Sequence, residues 1–152
     1  MNLKNYTSSV SAVHTIGRIE QLLAQAGTNG VVKEFSNGRV LSLTFTATLP
    51  NSKTVSIRLP ANVQAVYVAL RKKVKRPHPG TDQRLLEQAE RTAWKLMQDW
   101  VEVQLSLIAM QQAEFLQVFL PYVYDGRRSF FDSLKSNDFK ALMPAKQMEV
   151  VS

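Results

Sequence analysis

Apolar and polar positions alternate along this chain in a pattern dominated by one stretch, Thr81 to Leu120. From Asp82 to Leu120 there are 39 residues without glycine or proline, and apolar side chains recur at Leu85, Ala89, Ala93, Leu96, Trp100, Val103, Leu107 and Met110. This spacing predicts a helix, capped at Thr81 and closed by Pro121. Its first half, Asp82 to Trp100, carries seven charged side chains, whereas Val101 to Leu120 carries only Glu102 and Glu114. One end therefore reads as a surface helix and the other as buried nearly all round. At 1.5 Å per residue the stretch would span about 58 Å, against about 40 Å for a compact domain of this size. Such a helix must bend or project toward a partner.

The preceding pattern changes period. Val13, Ile16, Ile19, Leu22, Leu23 and Ala26 mark one helical face, with Ser11 as N-cap, Gly17 as an interruption and Gly27 as the stop. Val31 to Phe35 and Val40 to Leu49 then read as strands joined at Asn37-Gly38, a pair suited to the positive φ angles of a type I′ turn. The second strand sets Leu41, Leu43, Phe45, Ala47 and Leu49 on one face and Ser42, Thr44, Thr46 and Thr48 on the other. After Pro50-Asn51-Ser52, Lys53 to Leu59 continues as a third strand with Val55, Ile57 and Leu59 inward. Pro60 opens a helix of about a dozen residues, with Val63, Val66, Tyr67 and Leu70 on one face, ending in Arg71-Lys72-Lys73-Val74-Lys75-Arg76. Pro77-His78-Pro79-Gly80 breaks it. After Pro121, a turn-bearing connector, Tyr122 to Gly126, leads to a short helix capped by Ser129 and carrying Phe130, Phe131 and Leu134, then Phe139 and Leu142. The expected fold is a single α+β domain over 1–152. A three-stranded antiparallel meander packs against an N-terminal helix, a long central helix and short C-terminal helices. Loose termini are expected at 1–10 and 144–152.

Length and composition fit one ordinary globular domain, and no apolar leader opens the chain. The one candidate span, Val101 to Leu120, contains Glu102, Gln104, Gln111, Gln112, Glu114 and Gln117, each costly in hydrocarbon. A cytoplasmic protein is expected. Charge changes the picture more. The net charge is +7, and between Phe35 and Thr81 there is no acid but eight cations: Arg39, Lys53, Arg58, Arg71, Lys72, Lys73, Lys75 and Arg76. The rest of the chain holds eleven cations and twelve anions, so the whole excess sits in one third of it.

Few catalytic chemistries have residues to support them. Cysteine is absent, the only histidines are His14 and His78, and no metal-ligand spacing exists. No glycine-rich phosphate loop or nucleophile elbow occurs, and no cofactor is expected. Glu87 with Glu90, and Asp99 with Glu102, lie at i, i+3 and form the only carboxylate pairs worth weighing for acid/base work; both also have cations at helical spacing. The basic run suits a phosphate backbone, and it suits equally a solvated helix end complementing the helix dipole. The Pro-rich break is too long for a helix-turn-helix, and the outward strand positions carry no aromatic to stack on a base. A second apolar stripe, Trp94, Met97, Val101, Leu105 and Ile108, suggests self-association through the long helix.

Arg91-Thr92-Ala93-Trp94, Met97, Asp99-Trp100, Gln104-Leu105, Phe119-Leu120-Pro121-Tyr122 and Asp125-Gly126, in that order, resemble small uncharacterised proteins encoded by bacteriophages and integrated mobile elements. The resemblance implies a bacterial cytoplasm and a setting of DNA binding or interference with a host factor, and it carries over no site residues. The leading expectation is a non-enzymatic nucleic-acid-binding protein, for DNA more than RNA. It would use Arg71, Lys72, Lys73, Lys75 and Arg76, assisted by Arg58, Lys53 and Arg39. The alternatives are a protein-interaction module acting on a host protein, then a small enzyme using Asp99 and Glu102.

Overall fold

The computed structural model describes residues 4, 5 and 8–145. In order they form α1 (Ala12–Gln25), β1 (Asn29–Ser36), β2 (Arg39–Thr48), β3 (Thr54–Pro60), α2 (Val63–Arg71), α3 (Thr81–Ala109), α4 (Phe115–Phe119) and α5 (Phe130–Ser136), with 3-10 turns at Leu120–Tyr122 and Lys140–Leu142. The sheet is an antiparallel meander in the order β1-β2-β3. This is the expected α+β architecture.

Local chemistry explains the boundaries. Ser11 Oγ accepts from the His14 amide to start α1. Gly27, at φ +84°, ends it in a Schellman arrangement in which Thr28 N donates to Leu23 O and Gly27 N to Ala24 O. Asn37 and Gly38 both have positive φ, as the two-residue turn between β1 and β2 requires. Two expected caps differ. Gly80, not Thr81, precedes α3, and the buried Thr81 Oγ1 instead accepts from His78 N, tying the proline turn to the helix. Pro60 ends β3, and Asn62 Oδ1 caps α2 by accepting from Ala65 N.

The core is where α1, the sheet and α3 meet. Ile16, Ile19 and Leu23 pack with Leu43, Phe45, Ile57, Leu59, Trp94, Val101 and Phe119. A smaller cluster, Leu70, Leu85 and Ala89, joins α2 to the first half of α3. The predicted 81–120 helix does not form as one piece. α3 stops at Ala109, Gln111 adopts φ +60°, and the chain doubles back into α4 behind a capping box of Glu114 and Gln117. The physical reason is aromatic burial: the reversal puts Phe119 edge-on to both Phe45 (5.8 Å) and Trp100 (5.6 Å), which a straight helix would have carried past the sheet. The remaining 29 residues span about 43 Å, close to the width of the domain. The excess length that argued for a partner is gone.

The segment 123–130 also does more than connect. Val123 bridges Ile57, Tyr124 N donates to Ser56 O, and Phe130 N donates to Val123 O, so a rudimentary fourth strand lines the free edge of β3. Part of the expectation for loose termini concerns 1–3, 6–7 and 146–152, which lie outside the described residues. Lys4, Asn5 and Ser8, which belong to the expected loose start, instead lie along α3. Thr92 Oγ1 donates to Asn5 O, and Gln88 Nε2 and Arg91 Nε donate to Ser8 O.

Candidate nucleic-acid interface

The basic run is not a helical end. α2 finishes at Arg71, and Lys72 to Arg76 belong to the connection into α3. Val74 alone in this run turns inward, onto the Leu70–Leu85–Ala89 cluster, while the cations on either side stay exposed. The anchor therefore splays Lys72, Lys75 and Arg76 into solvent, and none of these three side chains has a polar or ionic partner among the described residues. Arg71 differs. Its Nε and the Tyr67 hydroxyl both donate to Asp82 Oδ1, at 3.2 and 3.1 Å, which pins α2 to the first turn of α3. Accepting that bond, Asp82 holds the Tyr67 hydroxyl protonated and its pKa above the ordinary phenol range, with desolvation and the Asp82 charge adding to the effect.

The three assisting cations do not join this loop as free charges. Arg39 is paired with Glu90 on α3. Arg58 donates to Glu34 Oε2 at 2.6 Å and to Ser42 Oγ at 3.2 Å, so acids of the surrounding chain neutralise the acid-free segment at both points. Lys53 lies at the other end of the molecule. Thr48, which pairs with Thr54, shares a cavity with Ile108 near the far end of α3, whereas Lys72 to Arg76 precede Thr81, about 40 Å away along the helix.

The proposed self-association stripe is also displaced. Trp94 and Val101 are fully buried, and Met97, Leu105 and Ile108 pack half-buried against the same core. Trp94 and Val101 are thereby closed off inside the fold, while Met97, Leu105 and Ile108 keep part of their surface, Met97 at the wall of a cleft. Asp99 and Glu102 likewise separate in role. Asp99 edges an apolar cleft of about 580 Å³ walled by Val66, Leu96, Met97, Trp100 and Val103, while Glu102 is exposed and does not line it. Partial burial raises the Asp99 pKa, but hydrogen bonds from Asn5 and Lys4 and the charges of Lys95 and Lys4 outweigh it, leaving the carboxyl below its ordinary range.

One surface escaped the sequence reading. Beside the fourth-strand segment, Arg58, Tyr124, Arg127, Arg128 and Phe131 line a groove of about 650 Å³. The Arg58 guanidinium lies over the Tyr124 ring, 5.0 Å from its centroid, so the outer face of the sheet does carry an aromatic, delivered by a segment read as a connector. The signal lay in the aromatic and β-branched run Tyr122-Val123-Tyr124, a short strand pattern ahead of Asp125-Gly126. Asp125 Oδ1 accepts from the amides of both Arg127 and Arg128, and these bonds hold its pKa down and fix the turn that presents the two arginines.

Among the described residues no group of three or more His, Asp or Glu side chains is placed to hold a metal ion, and no helix is long and apolar enough to cross a membrane. No family model, curated protein or solved structure matches the chain.

Proposed function

We propose that this is a non-enzymatic nucleic-acid-binding protein of a bacteriophage or mobile element, working in the bacterial cytoplasm on DNA more than RNA. The observation that carries this reading is the Val74-anchored loop, in which the side chains of Lys72, Lys75 and Arg76 stand exposed, without a partner among the described residues, in a stretch of sequence from Phe35 to Thr81 that holds no acid. Phosphate neutralisation by such cations is sequence-independent and salt-dependent. Binding of a labelled DNA duplex, followed by anisotropy against salt, is the test. Replacing Lys72, Lys75 and Arg76 together by Ala should flatten the log–log salt slope by about three units. An unchanged slope and affinity would remove the loop from the function.

A protein-interaction reading has its own observation. Phe130, Phe131, Phe139, Leu142 and Met143 are exposed apolar side chains gathered in the last quarter of the chain. Recovery of a single host protein after nuclease treatment, lost on substituting Phe139 and Leu142 with Ser, would favour it.

A further inference from the structure

We infer that the groove between β3 and the 121–132 segment is a second nucleic-acid contact, one that takes a base and its phosphate from an unpaired strand. This rests on the backbone-binding reading above and names the form of nucleic acid that reading leaves open. The volume, about 650 Å³, is that of a small-ligand site. Its walls combine the two features that single strands need: flat faces for stacking and cations for phosphate. The Tyr124 ring is held by Arg58 on the sheet and by its own hydroxyl donating to Gly126 O at 3.0 Å. Phe131 packs beside Phe139 yet remains 48% exposed at the groove.

Charge favours an anion. Arg58, Arg127 and Arg128 line the groove against the single carboxylate of Asp132. Arg58 is engaged by Glu34, and Arg128 donates to Ser136 Oγ at 2.9 Å. The Arg127 guanidinium has no partner among the described residues, and its backbone is fixed by Asp125, so it is the cation available to a phosphate.

Position links the groove to the basic loop. The groove ends at Pro60–Asn62, the start of α2, and Lys72 follows the other end of that helix. The nine residues of α2 contain no acid and span about 14 Å, roughly four nucleotides of a stacked strand. A single strand can therefore leave its base in the groove and run along α2 to Lys72, Lys75 and Arg76. A duplex, whose bases are stacked inside, can use only the loop.

The test compares anisotropy titrations of fluorescein-labelled oligothymidylate and of a labelled duplex. The proteins are wild type, Arg127→Ala, Phe131→Ala and the Lys72/Lys75/Arg76 triple Ala variant, with thermal melts as the control for folding. Phe131→Ala and Arg127→Ala should each weaken oligothymidylate about tenfold and leave duplex affinity within about twofold, while the triple variant weakens both. Unchanged oligothymidylate affinity in the two groove variants, with both probes lost in the triple variant, overturns the groove and leaves the loop reading intact. Absence of binding to either probe at low salt overturns both, as would Phe131-dependent binding of an acidic peptide by a protein that ignores oligothymidylate. Should Phe131→Ala fail to fold, Arg127→Ala decides, because its guanidinium has no partner among the described residues.

Discussion

Asp82 is the residue on which two kinds of consequence meet. It accepts from Tyr67 and Arg71 through one oxygen, and it is well exposed, so solvent screening leaves the bridge little weight in stability. Its larger effect is electrostatic, because it neutralises the arginine nearest the basic loop. Asp82→Asn should leave the melting temperature almost unchanged and make duplex binding steeper in salt by about one unit, measured as a log–log slope. Asp99 supplies the pH prediction. Its carboxyl is held below the ordinary range in the fold, so the stabilisation is present above the unfolded pKa and disappears as pH falls through the folded one. Asp99→Asn should therefore be less stable than wild type near neutrality, and in urea titrations the gap should begin to narrow only below about pH 4 and close below the lowered folded pKa. Trp94, fully buried in the core, gives the largest single loss: Trp94→Ala should cost about 3–5 kcal/mol in urea unfolding.

At the scale of elements, the turn between α3 and α4 is the departure from a simple hydrophobic pattern. Gln111 sits at φ +60°, a region that disfavours residues with a Cβ. Gln111→Gly should be neutral or stabilising by up to about 1 kcal/mol in chemical denaturation, whereas a glycine inside a continuous helix would cost about that much. The elements themselves were legible where local chemistry and pattern agreed: Ser11 and Gly27 bracket α1, and Asn37-Gly38 sets the hairpin. Periodicity failed at Gln111 because Leu, Ile, Met and Phe continue on both sides of the break with no glycine or proline to mark it. The reversal comes from tertiary packing of Phe119 on Phe45 and Trp100, which spacing along a chain does not encode.

For the whole molecule, a charge count by segment located the excess but not its use. Arg39 and Arg58 belong to the acid-free third of the chain and still meet carboxylates, Glu90 and Glu34, that lie outside it. Lys53 shares the segment and lies at the opposite end of the fold. The loop cations alone stayed where sequence put them, since Val74 could be read as an apolar residue within a charged run. The groove was illegible because Arg58 and Arg127 are far apart in sequence and meet only when Val123 bridges Ile57. The chain's two tryptophans, both on α3, have a further use as optical reporters. Trp94 is sealed in the core and senses only loss of the fold, while Trp100 walls the apolar cleft and touches Tyr122. A Trp94→Phe protein would leave one indole whose emission reports what enters the cleft, independently of any label on nucleic acid.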